Sequence, residues 1–66
     1  MRVRINGEDL PFVSLMTVAA LIAQRKILPE TVVVEHNGAI LARDKWEATV
    51  LKENDTLEIL SFVGGG

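Results

Sequence analysis

The sequence predicts an α+β fold in which a mixed sheet of four to five strands carries one main helix across one face. Apolar and polar residues alternate with a period of two near both ends of the chain, and an intervening stretch has the period of an amphipathic helix. Two Asn-Gly pairs mark tight turns. With 66 residues, the chain is predicted to form a single domain over 1–66.

Two strands joined by a tight turn are predicted at the start of the chain. Val3 and Ile5 alternate with arginines, which indicates a half-buried first strand. Asn6-Gly7 follows, and both central positions of a type I′ turn require positive φ. The alternation then resumes in a second strand that extends to about Val13, and we expect the two strands to pair antiparallel.

Residues 14–26 change to a helical period. The stripe at i, i+3, i+4 and i+7 consists of Val18, Leu21, Ile22 and Arg25. Thr17 is the predicted N-cap. Arg25 and Lys26 are expected in the last turn, where cations complement the helix dipole, and Pro29 is expected to end the segment.

The second half of the chain predicts three strands and one helical turn. In order, these are a β-branched strand over 31–37, a turn at 37–38, a short strand over 39–41, a helical turn over 43–46 with the only tryptophan, a polar turn over 53–55 and a final strand over 56–63. Trp46 is expected to cover one end of the core. The first and last strands are natural central partners, which predicts the β-grasp, or ubiquitin-like, fold.

Composition excludes several classes of function. The chain has no cysteine, so no side chain can act as a thiol nucleophile or persulfide carrier. A net charge of −2 without a basic patch argues against nucleic-acid binding. No apolar run is long enough to span a membrane, and the first residues lack the apolar core of a signal peptide. We therefore expect a cytoplasmic protein with no membrane partner.

The internal side chains suggest neither a catalytic nor a metal-binding site. His36 is the only histidine, and it shares a predicted strand face with Val32 and Val34, so we interpret it as a residue filling the edge of the core. Glu53 and Asp55 adjoin a turn and are interpreted as solvated surface residues. No Ser/His/Asp set is indicated, and the chain is predicted not to be an enzyme.

The C-terminal residues are the candidate functional segment. Gly64, Gly65 and Gly66 directly follow the apolar end of the last strand. Glycine suits a backbone that must enter a narrow slot, because it has no side chain. The segment from Val63 onward reaches roughly 13 Å when fully extended, which would place the Gly66 carboxylate inside a partner's active site. The alternative is a frayed terminus without function.

Apolar side chains just before the glycines predict a docking surface. If Leu57 faces the helix, alternation places Leu60 and Phe62 on the opposite, uncovered face of the sheet. Exposed apolar patches usually mark partner contacts, so we assign Leu60, Phe62 and Val63 to a partner-docking surface. In the alternative, a bulge shifts the strand by one residue and buries Phe62.

Taken together, these features resemble the ubiquitin-like sulfur-carrier family, and within it the ThiS carriers of thiamine biosynthesis. The matching pieces run the full length of the chain: Asn6-Gly7, Thr17-Val18, the segment 34–38, Arg43 three residues before Trp46, the Asp55 turn and Gly65-Gly66. The terminal di-glycine is the most specific of them. His36 departs from the aliphatic residue usual in the family, and Gly64 makes the tail one glycine longer than the minimal pair.

The resemblance implies a protein cosubstrate that binds no cofactor itself. In the family, an E1-like (ThiF-like) adenylyltransferase uses ATP and magnesium to adenylate the terminal carboxylate, here that of Gly66. A sulfur donor protein then converts the adenylate to a thiocarboxylate, which gives its sulfur to a ThiG-like thiazole synthase. Gly64 and Gly65 would be the slender segment that enters the partner's active site.

Other functions are compatible with the same sequence features. The small subunit of molybdopterin synthase shares the fold and the di-glycine, although the compact length and the Arg43-x-x-Trp46 piece favour the thiazole branch. Carriers that serve cysteine or methionine synthesis look similar. A ubiquitin-like modifier or pure interaction module is the alternative from a different class.

Overall fold

A computed structural model describes residues 2–11 and 16–62 and contains a five-stranded mixed sheet. The strands are β1 Arg2–Ile5, β2 Glu8–Pro11, β3 Val32–His36, β4 Ala39–Leu41 and β5 Thr56–Ser61. They lie in the order β2-β1-β5-β3-β4, with β1 and β5 parallel at the centre and the other neighbours antiparallel. The predicted sheet and its central pair are confirmed. Phe12 and Val13, the end of the predicted second strand, lie outside the described residues.

Both predicted Asn-Gly turns are present. Asn6 and Gly7 have φ values of 51° and 84°, and Asn37 and Gly38 have φ values of 52° and 86°. Consecutive positive φ values are those of a type I′ turn, whose twist matches that of the two strands it joins. These turns fix the pairing of β1 with β2 and of β3 with β4.

The main helix, α1, spans Val18–Gln24 and packs one face against the sheet. Thr17 is its N-cap as predicted, since the Thr17 hydroxyl accepts a hydrogen bond of 3.1 Å from the Ala20 amide. The residues that α1 buries are Val18, Leu21 and Ile22, the apolar members of the predicted stripe. Burial of this stripe supplies the helix with stability that seven residues alone would not give it.

The C-terminal end of α1 differs from the prediction. The helix ends at Gln24, so Arg25 and Lys26 follow the last turn instead of forming it. Lys26 has a φ of 59°. The Lys26 amide donates to the Ala23 carbonyl, and the Ile27 amide donates to the Ile22 carbonyl. These two hydrogen bonds form a Schellman motif, which ends a helix without a proline. Pro29 instead begins a short 3₁₀ helix, Pro29–Thr31.

The core lies between α1 and the sheet. Its buried members are Val3, Ile5, Val18, Leu21, Ile22, Val34, Trp46, Leu51 and Leu57. Trp46 follows a second 3₁₀ helix, Arg43–Lys45, and is 4% exposed, while its indole Nε1 donates to the Leu41 carbonyl at 3.1 Å. The prediction that Trp46 covers the core is therefore confirmed, and its one polar atom is satisfied.

Candidate functional site

The side chains of β5 point to the sides of the sheet that the sequence predicts. Leu57 is fully buried, whereas the side chains of Leu60 and Phe62 are 47% and 62% exposed. The pairing of β5 with β3 runs without interruption from Val32 opposite Ser61 to His36 opposite Leu57, so no bulge shifts the strand. The exposure of Leu60 and Phe62 is confirmed, and their role in docking stays a prediction. Residues 63–66, which include Val63 and the three glycines, lie outside the described residues.

Hydrogen bonds hold β5 in place up to the start of the candidate tail. The Phe62 amide donates to the Thr31 carbonyl at 3.1 Å. The Asn6 side chain spans the Ile59 peptide groups, accepting from the Ile59 amide at 2.7 Å and donating to its carbonyl at 3.3 Å. The sequence predicts Asn6 only as a turn residue. These contacts fix the backbone at Ile59 and Phe62, the latter being the last described residue before 63–66.

The apolar surface around Leu60 and Phe62 is larger than the sequence predicts. Val33 of β3 lies directly opposite Leu60, and Ile40 of β4 is 65% exposed on the same side of the sheet. A shallow groove is bordered by Val33, Ile40 and Phe62. We call Val33, Ile40, Leu60 and Phe62 the open apolar face. The alternation of Ala39–Leu41 is the one signal that could have identified Ile40, but three residues are too few to show it.

His36 and Asp55 form a polar junction at the other end of β5. The His36 Nε2 atom lies 3.0 Å from Asp55 Oδ2, and since a carboxylate only accepts, the ring donates from Nε2. Asn37 Nδ2 donates to Asp55 Oδ1 at 3.1 Å, and the Lys52 amide donates to Oδ2 at 2.8 Å. Asn37 Oδ1 in turn accepts from the Thr56 amide at 2.9 Å. The junction thereby joins the β3–β4 turn to the start of β5.

The prediction for Asp55 is wrong in one respect. Asp55 is 7% exposed and is not a solvated surface residue, because three donors converge on its carboxylate and compensate for its burial. Burial raises the pKa of the Asp55 carboxyl, but the hydrogen bonds from His36, the Lys52 amide and Asn37 outweigh burial and hold the pKa below its usual value. His36 is half-buried at the core edge, as predicted.

The described part of the chain contains neither a metal-binding cluster nor a membrane-spanning helix. Within residues 2–11 and 16–62, no group of three or more His, Asp or Glu side chains is placed to hold a metal ion. In the same residues, no helix has the length and apolar character needed to cross a membrane. Within the described residues, the candidate site is the open apolar face, which adjoins residues 63–66 in sequence.

Comparison with known proteins gives concordant matches. The ThiS family model matches residues 3–66. The sulfur carrier protein ThiS of Bacillus subtilis is 31% identical over 64 residues, which cover 96% of this chain and 97% of that protein. The crystal structure of the thiamine biosynthesis protein ThiS from Geobacter metallireducens has a TM-score of 0.84 and 35% identity, and the match covers 100% of both chains.

Two longer proteins contain a segment like this chain. The thiazole synthases of Magnetococcus marinus and Paramagnetospirillum magneticum are each 36% identical over 66 residues, which is 100% of this chain. This chain spans only 20% of the length of either relative. In both, the matching segment is joined to a much larger polypeptide.

Proposed function

This chain belongs to the ThiS family, and on that premise we propose that it is a sulfur carrier protein of thiamine biosynthesis. The observation that carries the proposal is the family match over residues 3–66, which takes in the folded body together with the three glycines. The β-grasp architecture shared with the Geobacter protein supports it. The family match favours the thiamine branch over the molybdopterin, cysteine and methionine carriers.

The reactive group in this proposal is a main-chain carboxylate. The chain has no cysteine, so the sulfur must be held by another group, and we assign it to the carboxylate of Gly66. A carboxylate is a poor electrophile. Attack of its oxygen on ATP releases pyrophosphate and forms an acyl-adenylate, from which AMP leaves readily. Hydrosulfide released by the sulfur donor then attacks the acyl carbon, AMP leaves, and the thiocarboxylate forms with no change in the oxidation state of sulfur.

The partners follow from this sequence of steps. An E1-like, ThiF-like adenylyltransferase would bind ATP together with Mg²⁺. The Mg²⁺ ion would neutralise phosphate charge during the transfer. A sulfur donor protein would follow it, and a ThiG-like thiazole synthase would receive the sulfur. The two relatives named thiazole synthase that contain a segment like this chain support the last partner. We propose a cytoplasmic location for these steps, because ATP is available there.

The geometry of the body suits a carrier that docks on one surface and reacts at another. The open apolar face would bind the partner, with Val63 extending it. Gly64 and Gly65 would pass through the partner's narrow entrance. Because Phe62 is held by the Thr31 carbonyl, docking of the face would also set the position from which the tail extends.

The proposal is tested by weighing the intact protein after reaction. The 66-residue chain is incubated with the adenylyltransferase, ATP, Mg²⁺ and the sulfur donor. We expect a mass gain equal to the replacement of one oxygen by sulfur, and tandem fragmentation should place the gain in Gly66.

The control is a chain whose Gly66 carboxylate is converted to an amide by chemical synthesis. Deletion of one glycine is a weaker control, because it leaves a Gly-Gly end. The amidated chain has the same fold-determining residues but no acid to adenylate, so it should gain no mass. An equal gain in the amidated chain would contradict the proposal.

A further inference from the structure

Two glutamates lie on the same side of the sheet as the open apolar face. Glu58 of β5 lies directly opposite Glu35 of β3, and Glu35 also lies directly opposite Ile40 of β4. The next pair on this face of the sheet is Val33 of β3 opposite Leu60 of β5. The two carboxylates, which we call the acidic pair, therefore adjoin the apolar side chains across three strands.

The acidic pair is unfavourable in the free chain. Side chains directly opposite on one face have Cβ atoms about 4.5–5.5 Å apart, and like charges in that position destabilise the sheet. In the part of the chain that the structure describes, neither carboxylate takes part in an ion pair or hydrogen bond. Arg4 pairs with Asp9 at 2.9 Å, and Arg43 lies 4.0 Å from Glu30.

The presence of two like charges within an apolar surface is explained if a binding partner neutralises those charges. Features that oppose the folding of a small domain are expected where function requires them. A planar guanidinium can donate to two carboxylates at once, which makes arginine the side chain best suited to this position. A second copy of this chain is a poor occupant, because two such faces would bring like charges together.

We infer that the acidic pair receives an arginine or lysine of the thiazole synthase, whose surrounding apolar residues pack on the open apolar face. This inference rests on the proposed function. It adds to the proposed docking surface a charged pair that would help to determine which partner binds. The tail departs at Phe62, so a protein that takes up Gly66 comes within roughly 13 Å of this face. Two relatives named thiazole synthase contain a segment like this chain, which favours that partner over the adenylyltransferase.

The test measures binding and folding separately. Glu35→Gln, Glu58→Gln and Glu58→Lys are compared with the unchanged chain. Binding to separately produced thiazole synthase, and in parallel to the adenylyltransferase, is measured by calorimetry at low and high salt. Glu47→Gln is the matched control, since Glu47 is exposed and borders a groove on the α1 side of the molecule. Unfolding of each free chain is followed in denaturant.

We expect opposite effects on the two readouts. Each Gln variant should weaken binding about tenfold and reduce its salt dependence, because one attractive charge is lost. Glu58→Lys should weaken binding further, yet it should stabilise the free chain because it places opposite charges across the strands. Glu47→Gln should leave both properties unchanged. A purely structural role would move binding and stability in the same direction.

Three outcomes would overturn the inference. If both Gln variants bind with unchanged affinity and salt dependence, the inference fails, and the proposed function stands as long as the mass gain is observed. If the variants lose affinity only for the adenylyltransferase, the assignment to thiazole synthase is wrong. If the unchanged chain does not bind thiazole synthase, both the inference and that part of the proposed function fail.

Discussion

Asp55 illustrates how a single residue organises one end of the molecule. Its buried carboxylate accepts from His36, Asn37 and the Lys52 amide, so the end of β3, the β3–β4 turn and the loop before β5 meet at one group. A buried charge is tolerated only when donors compensate for lost hydration. At the residue scale, the junction is thus a stability element at the opposite end of β5 from the tail.

Replacing Asp55 by alanine is expected to lower the free energy of unfolding by about 2–3 kcal/mol, because the donors of His36, Asn37 and the Lys52 amide all lose their acceptor. Urea unfolding of the isolated chain at neutral pH measures the loss. Glu53→Ala is the control, since Glu53 is exposed in the same turn and should cost less than about 0.5 kcal/mol. Equal effects of the two changes would contradict the role assigned to Asp55.

The lowered pKa of Asp55 also predicts how stability depends on pH. In the unfolded chain the carboxyl titrates near pH 4, whereas in the folded chain it keeps its charge to a lower pH. Its stabilisation is therefore complete above about pH 5 and is lost as the pH falls through the lower folded pKa. Asp55→Asn should lose less stability than the unchanged chain between about pH 5 and pH 3, as measured by denaturant titrations at each pH.

At the scale of elements, the end of α1 depends on backbone conformation more than on charge. Cations and a nearby proline are ordinary signals for a helix C-terminus, and they predict an end near Lys26. The Schellman motif ends the helix two residues earlier, at Gln24, with Lys26 in the left-handed region. Ile27 then packs against the core, which supplies the hydrophobic contact typical of the motif.

Lys26→Gly is expected to raise the free energy of unfolding by about 0.5–1 kcal/mol, because glycine adopts positive φ without the strain of a Cβ atom. Denaturant unfolding of the free chain is the measurement. The neighbouring change Arg25→Gly is the matched control: Arg25 has a φ of −84°, so glycine there should destabilise. A loss of stability in both variants would show that the Lys26 side chain contributes more than its backbone strain costs.

At the scale of the whole molecule, the features that could be predicted from the sequence are those that depend on residues close together in the chain. The Asn-Gly turns, the Thr17 cap and the alternation of β5 involve contacts within a few positions, so periodicity and turn chemistry predict them. The burial of Asp55 could not be predicted in this way, since its side-chain partners lie 18 and 19 residues away. The opposition of Glu35 and Glu58 likewise exists only after β3 and β5 pair.

The two faces of β5 are therefore expected to separate folding from binding. Leu60→Asp and Phe62→Asp each place a charge on an already exposed face, so each should change the free energy of unfolding by less than about 1 kcal/mol. Each should also weaken binding to the adenylyltransferase and to thiazole synthase more than tenfold. Leu57→Asp is the control on the opposite face; it buries an unpaired carboxylate and should unfold the chain. Circular dichroism in denaturant and calorimetric titration report the two effects. Unfolding by Leu60→Asp or Phe62→Asp would show that this face contributes to the core, and unchanged binding would show that partners dock elsewhere.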